Sequence, residues 1–166
     1  GNAAGVTVNG NALDIDPNAY NALAVGENAI IEYSYDVEDG NGGTVPQTAT
    51  ITITGANDAP TVSAAVTSTA GEADAAYSLN LLTNASDVDA TDVLNVNNLT
   101  LVSGDAAGVT VNGNSLDIDP SAYSALASGE SEIITYSYTV EDGEGGTIAQ
   151  TATITITGDS AAPTVS

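Results

Sequence analysis

The stretch IITYSYTVEDGEGGTIAQTATITIT, residues 133–157, decides the fold. Its first arm, residues 133–140, alternates strictly, and its second arm, residues 147–157, alternates threonine with Ala152, Ile154 and Ile156. A period of two residues is typical of β-strands. Because the acidic, glycine-rich residues 141–146 join the arms, the stretch predicts a long hairpin. Its inward side chains are Ile134, Tyr136, Tyr138, Val140, Ala152, Ile154 and Ile156.

The same stretch occurs earlier in the chain, as part of an internal repeat with an offset of 103 residues. Residues 1–63 align without gaps to residues 104–166, and 48 of the 63 aligned positions are identical. This period corresponds to one domain of immunoglobulin size rather than to a short solenoid unit. We therefore expect residues 1–59 to be the C-terminal part of one repeat, without its N-terminal strands. Residues 60–166 are expected to form a complete repeat and the start of the next linker.

Further short alternating runs predict the other strands. Residues 6–8 and 13–15 flank Asn9-Gly10, a hairpin signal, and their copies are residues 109–111 and 116–118. Residues 61–67, 76–82 and 98–102 bring the complete repeat to about seven strands. No segment has the periodicity of an amphipathic helix. The pattern predicts an all-β sandwich, in tandem repeats of 103 residues.

The composition excludes several classes of function. The 166 residues include 22 Asp and Glu but no Lys, Arg, His or Cys, so the formal charge is −22. Without basic residues the chain cannot neutralise phosphates, which argues against nucleic acid and anionic membranes as partners. It also has no apolar run of about 18 residues. Zinc sites, Ser–His triads and thiol nucleophiles are unavailable, so we expect no enzyme. Paired carboxylates could in principle hydrolyse glycosides, but duplicated catalytic sites would be unusual.

Most carboxylates cluster in predicted turns. In the run SDVDATD, residues 86–92, Asp87, Asp89 and Asp92 can point to one place. Ca²⁺ takes six to eight oxygen ligands and offsets the repulsion between converging carboxylates, whereas Mg²⁺ prefers octahedral sites with retained waters. The run therefore indicates a Ca²⁺ loop, with a solvated acidic loop as the alternative. Asp142 begins a run that is also an ordinary hairpin turn. For Asp14-Ile15-Asp16-Pro17, a strand end followed by a turn is favoured over a ligand role.

Four phrases carry a resemblance to a known group of domains. They are NLLTNASDVDATDVL (80–94), YSYTVEDGEGGT (136–147), TATITITG (151–158) and GANDAPTVS (55–63). Together they resemble the VCBS and cadherin-like tandem domains of large bacterial surface adhesins, over essentially the whole chain. The resemblance implies an Ig/cadherin-like Greek-key β-sandwich. It also implies a Ca²⁺-stiffened extender in a secreted RTX-type adhesin at a bacterial cell surface, with neighbouring repeats as partners.

The resemblance also implies which residues bind Ca²⁺. Between the repeats, the linker supplies Asn57 and Asp58 and the first repeat supplies Glu27. The second repeat supplies Asp87, Asp89 and Asp142, joined by Asp92 from the same loop. At the next junction the ligands would be Glu72, Glu130 and Asp159. The linker acid moves from Asp58 in one copy to Asp159 in the other, and the second junction is therefore expected to bind differently.

Three functions remain open from the sequence. The favoured one is a non-catalytic extender, because a spacer can be duplicated freely. The alternatives are a Ca²⁺-dependent module for glycan or homophilic adhesion and a subunit of an extracellular filament. Contact with a surface ligand would be made through other domains. The threonines at 48, 50, 52 and 54 are interpreted as a solvated strand face rather than an ice- or sugar-binding surface.

Overall fold

A computed structural model describes residues 3–159 of the chain. These residues form two compact units, each described by itself below. The first unit contains Gly1–Asp58 together with Val88–Asp92, and the second contains Ala59–Asp87 and Val93–Ser166. The predicted division into residues 1–59 and 60–166 stays a prediction.

The first unit consists of two antiparallel hairpins. Its strands are β1 (Val6–Asn9), β2 (Ala12–Ile15), β3 (Asn28–Glu38) and β4 (Thr44–Thr54). Strand β1 pairs with β2, and β3 pairs with β4 over eleven residue pairs, from Asn28↔Thr54 to Glu38↔Thr44. A small core of Val6, Tyr20 and Ile31 is buried in this unit.

The second unit is a β-sandwich of one four-stranded and one three-stranded sheet. Strand order is β6-β13-β12-β9 in the first sheet and β10-β11-β7 in the second. Strands β5 and β8 form a separate short pair. The bounds are β5 (Thr61–Val62), β6 (Val66–Gly71), β7 (Tyr77–Asn80), β8 (Ala85–Ser86), β9 (Asn95–Ser103), β10 (Val109–Asn112), β11 (Ser115–Ile118), β12 (Ser131–Glu141) and β13 (Thr147–Thr157).

The core of the second unit lies between its two sheets. The alternating side chains of β12 and β13 face inward and pack against Leu116 and Ile118 of β11 and against Leu81. Burying an aliphatic side chain contributes roughly 1.5–3 kcal/mol, so this face drives the sheets together. The hydroxyl of Tyr138 donates to the Leu81 carbonyl at 2.7 Å and satisfies it inside the core. The predicted all-β sandwich and the inward faces of the long hairpin are confirmed.

The Asp-Pro sequences end strands, as predicted from their turn chemistry. Asp16 and Asp119 cap single 3-10 turns, Pro17–Tyr20 and Pro120–Tyr123. Each aspartate accepts a hydrogen bond from the backbone N–H two residues later, at 3.1 Å in both copies. Proline suits the first position of such a turn because its missing N–H would have no partner there.

Two predicted strands differ from the structure. The run 61–67 is not one strand, because the chain changes partner: β5 pairs with β8, whereas β6 runs parallel to β13. In the run 76–82, strand β7 ends at Asn80, whose side-chain oxygen accepts the Leu82 N–H at 2.9 Å and starts a turn. Strand β9 is longer than predicted and carries register shifts against β12.

Candidate metal centre

The first component of the site is the acidic loop that follows β8. Asp87 and Asp92 are half-buried at its ends, and Asp89 between them is buried, with 3% of its surface exposed. The Asp92 N–H donates to the Asp89 carbonyl at 3.3 Å, so the loop closes on itself. A compact loop of this kind holds its carboxylates near one another instead of letting them extend into solvent.

The second component is the turn between β12 and β13, which holds Asp142. This side chain is buried, with 4% exposed, although it is ionisable. Its Oδ1 accepts the backbone N–H groups of the next residues but one, two and three, Glu144, Gly145 and Gly146, at 2.7, 2.9 and 3.0 Å. Three converging amides form an anion-binding nest that favours the charged carboxylate and orients it.

Glycine is required at the end of this turn. A Cβ added at Gly146 would collide with Asp142 Oδ2 and would lie 2.8 Å from the Ala59 Cα. Gly143 and Gly145 have φ values of +93° and +109°, which L-residues with a Cβ rarely adopt. The spacing EDGEGG therefore serves the position of the Asp142 carboxylate as well as the reversal of the chain.

The two components bring three carboxylates together. One carboxylate oxygen each of Asp87, Asp92 and Asp142 lies within 4.8 Å of the other two. Since Ca²⁺–oxygen distances are about 2.3–2.6 Å, two ligands of one ion can be separated by up to about 5 Å. The chain supplies no Lys, Arg or His to neutralise this group. The spacing and the all-oxygen donor set therefore fit a hard divalent cation such as Ca²⁺.

Asp89 and the linker aspartate are joined by a direct hydrogen bond. The Asp58 N–H donates to Asp89 Oδ2 at 2.8 Å, and both residues belong to the first unit. Asp89 is not a member of the three-oxygen group found among residues 3–159. Asn57, beside Asp58, is half-buried. The assignment of Asn57, Asp58 and Asp89 as Ca²⁺ ligands stays a prediction.

Glu27 and Glu130 occupy equivalent positions in the two copies. Each carboxylate accepts a backbone N–H of its own turn, from Ala24 at 3.1 Å and from Ala127 at 2.9 Å. Each main-chain carbonyl also accepts the N–H of the glycine after the long hairpin. These bonds give both glutamates a structural role in the turn. Their predicted metal-binding role is not tested by them.

The residues predicted for the next junction are only partly brought together. Glu72 Oε1 accepts the Asp159 N–H at 3.3 Å. Glu72 Oε2 is buried and makes no hydrogen bond with the part of the chain that the structure describes. In that part, no group of three carboxylates contains Glu72, Glu130 or Asp159. The second site therefore remains a prediction.

Asp39 is the counterpart of Asp142 in the first unit. Its Oδ1 accepts the N–H groups of Asn41 at 2.7 Å and Gly43 at 2.9 Å, and these two bonds lower the pKa of the Asp39 carboxyl, the Asn41 bond most strongly. Asp39 is exposed, and it belongs to no three-carboxylate group of the described chain. The turn alone thus holds an aspartate in its charged form, whereas the second unit adds Asp87 and Asp92.

Sequence reasoning singled out the carboxylates but missed the amides that hold Asp142. The signal was available in the glycines at 143, 145 and 146, which allow the turn to direct its N–H groups inward. The sequence was read instead as either a ligand run or an ordinary hairpin turn. The structure combines the two, because one oxygen is held by the turn.

Comparisons with known proteins point to one family. A family model described as "cadherin-like domain" matches residues 56–157. A search of curated proteins finds no match to the chain. In residues 3–159, no helix has the length and apolar character needed to span a membrane.

Solved structures are similar in fold. Human mucin-like protocadherin EC1-2 has a TM-score of 0.57 and 17% identity, covering 93% of this chain and 79% of that chain. A nucleoside hydrolase-related hypothetical protein from Saccharophagus degradans has a TM-score of 0.39 and 20% identity, covering 62% and 26%. Protocadherin gamma B2 extracellular cadherin domains 1–5 have a TM-score of 0.49 and 14% identity, covering 98% and 32%. The chain thus spans about a third or less of the length of the last two.

Proposed function

Because the chain belongs to the cadherin-like domain family, we propose that it is a Ca²⁺-stiffened extender module of a secreted bacterial adhesin. The family itself supports an extracellular role in adhesion or extension. The proposal adds three points: the module is non-catalytic, Ca²⁺ binds where repeats meet, and the whole protein acts at a bacterial cell surface. The bacterial assignment is supported by the four VCBS-like phrases of the sequence.

The convergence of Asp87, Asp92 and Asp142 carries the proposal. Three carboxylate oxygens within 4.8 Å repel one another strongly when charged. The chain has no basic side chain to offset the repulsion, and the amide nest keeps Asp142 in the arrangement. A bound cation removes this cost. In such a site Ca²⁺ would supply charge and coordination, while the protein supplies carboxylates of fixed spacing.

Ca²⁺ suits this site better than Mg²⁺. Mg²⁺ requires near-ideal octahedral geometry at about 2.0–2.1 Å and usually retains several waters, whereas Ca²⁺ accepts irregular sets of carboxylate and carbonyl oxygens. We propose that Asp89, the linker residues Asn57 and Asp58, and Glu27 complete the ligand set. The expected dissociation constant is about 10⁻⁴–10⁻³ M, the range of extracellular Ca²⁺ modules.

The extender role follows from the duplication and the charge. In the copies, 48 of 63 aligned positions are identical, including the turn that holds Asp39 and Asp142. Without cations, like charges at a junction repel and leave the linker flexible. With Ca²⁺ bound, neighbouring repeats become one stiff rod. A chain exported through a Ca²⁺-poor compartment would then stiffen only outside the cell.

The first experiment is thermal unfolding of the 166-residue chain in EDTA and across a Ca²⁺ titration, with Mg²⁺ as a second arm. We expect a rise in Tm that is selective for Ca²⁺ and saturates near millimolar concentration. An equal response to Mg²⁺ or to ionic strength would show that the acids are only a screened surface. X-ray scattering then tests stiffening, and a maximum dimension that chelator leaves unchanged would contradict it.

A matched pair of variants tests the site itself. Asp142→Asn removes one carboxylate of the three-oxygen group, and we expect Ca²⁺ affinity to fall by at least about tenfold. Asp39→Asn removes the same charge from the same turn of the first unit and should leave the affinity unchanged. Equal effects of the two variants, measured by calorimetric titration, would place the bound Ca²⁺ elsewhere.

A further inference from the structure

The long hairpin of the first unit presents an apolar face to solvent. Strands β3 and β4 pair with each other, and in the described chain neither has a second strand partner. Side chains of the inward type are therefore exposed: Tyr35 by 50% and Val37 by 52%. Strand β2 likewise pairs only with β1 among the described strands. Three sheet edges of this unit thus offer unpaired backbone groups.

The second unit shows the same surface when it is covered. Strand β12 gains β9 on its free edge, β13 gains β6, and β11 gains β7. The counterparts of Tyr35 and Val37 are Tyr138 and Val140, whose exposed fractions are 3% and 0%. The side chains are the same in both units, so the difference comes from the added strands.

All of the added strands come from one segment, residues 59–103, which we call the half-repeat. It contains β5 to β9 and buries Leu81 completely among the hairpin side chains. Two hydrogen bonds join it to the hairpin: Tyr138 Oη donates to the Leu81 carbonyl at 2.7 Å, and Gln150 Nε2 donates to the Ala64 carbonyl at 2.8 Å. The hairpin of the first unit carries the same donors at Tyr35 and Gln47.

The first unit also has an open groove where Leu81 would lie. The groove has a volume of about 900 Å³ and includes Leu13, Tyr33 and Tyr35 in its lining. The counterparts of these three residues, Leu116, Tyr136 and Tyr138, belong to the core that encloses Leu81 in the second unit. Pro46 of β4, which has no N–H, lies outside the stretch that would be paired, because β6 meets β13 only from Ala152 onward.

We propose that this face of the first unit is a docking surface for a half-repeat with the sequence pattern of residues 59–103, supplied by a second chain. The half-repeat adds one strand to each of the edges of β2, β3 and β4, and its leucine equivalent to Leu81 fills the groove. Recognition is by strand addition combined with a buried apolar side chain. The inference does not depend on Ca²⁺ or on the extender function.

Amide hydrogen exchange of the isotope-labelled 166-residue chain with an unlabelled peptide of residues 59–103 tests the proposal. We expect the amides of β3 and β4 to exchange at least about tenfold more slowly when the peptide is present. Binding should strengthen with salt, because both partners carry only acidic charges. Unchanged exchange in β3 and β4, or a peptide that enters only the second unit, would overturn the proposal.

Substitutions in the peptide leave the folded chain intact and provide the control. Leu81→Asp in the peptide should abolish protection, whereas Val102→Asp should not, because Val102 is exposed in the second unit. On the chain, Ala49→Glu should block docking and Thr48→Glu should not, since their counterparts Ala152 and Thr151 are buried and exposed. Equal protection by both peptides would refute docking at the groove. A dimer that persists with peptide would make a second copy the occupant instead.

Discussion

A single tyrosine in the second unit links the packing of the sandwich to pH. Burial raises the pKa of Tyr138 from 10.0 to about 12, and its neutral hydroxyl donates to the Leu81 carbonyl. The folded-state pKa lies above the unfolded one, so this stability is fully present below pH 10 and is lost as pH rises through about 12. At about 1.4 kcal/mol per pKa unit, the loss approaches roughly 2–3 kcal/mol.

Urea unfolding at a series of alkaline pH values measures this loss. Tyr138→Phe should reduce the pH dependence of the unfolding free energy, and Tyr35→Phe, at the half-exposed counterpart, should not. A Tyr138→Phe variant with the full pH dependence of the parent chain would assign the effect to other groups.

At the scale of elements, the turn between β12 and β13 couples fold and site. We predict that Gly146→Ala lowers Ca²⁺ affinity by about tenfold or more, because its Cβ would displace the Asp142 carboxylate and press on the Ala59 backbone. Gly43→Ala is the matched control. It crowds Asp39 in the equivalent turn, at 2.6 Å from Oδ2, but away from the three-oxygen group. Calorimetric titration of both variants checks the prediction, and equal losses would contradict it.

At the scale of the whole molecule, nearly identical hairpins have different surroundings. The buried core of the first unit is Val6, Tyr20 and Ile31, whereas the second unit buries a larger set that includes Leu81, Leu116, Ile134 and Ile154. We predict that amides of β3 and β4 exchange at least about a hundredfold faster than their counterparts in β12 and β13, because opening costs less free energy where fewer apolar contacts break. Mass spectrometry of exchanged peptides measures both hairpins in one sample, and equal rates would contradict the prediction.

Much of the fold could be predicted because local patterns agree with it. The alternation in residues 133–157 identified both strands and the inward residues, including Tyr138 and Ile154. The break between β5 and β6 could not be predicted, since it depends on a change of strand partner that local sequence does not encode. For the site, Asp87, Asp92 and Asp142 were all candidates. Their grouping separately from Asp89 required the positions of two distant loops.

The sequence by itself determined the class of chain: an all-β, strongly acidic, duplicated molecule whose only plausible metal ligands are oxygens. Those properties follow from periodicity and composition, which act locally or additively along the chain. Only the tertiary structure decided which carboxylates meet and which apolar faces are covered. Tyr35 and Tyr138 occupy the same position in identical local sequence, yet one is half exposed and the other is buried. Burial depends on the strands that pack against a residue, and those strands come from elsewhere in the chain.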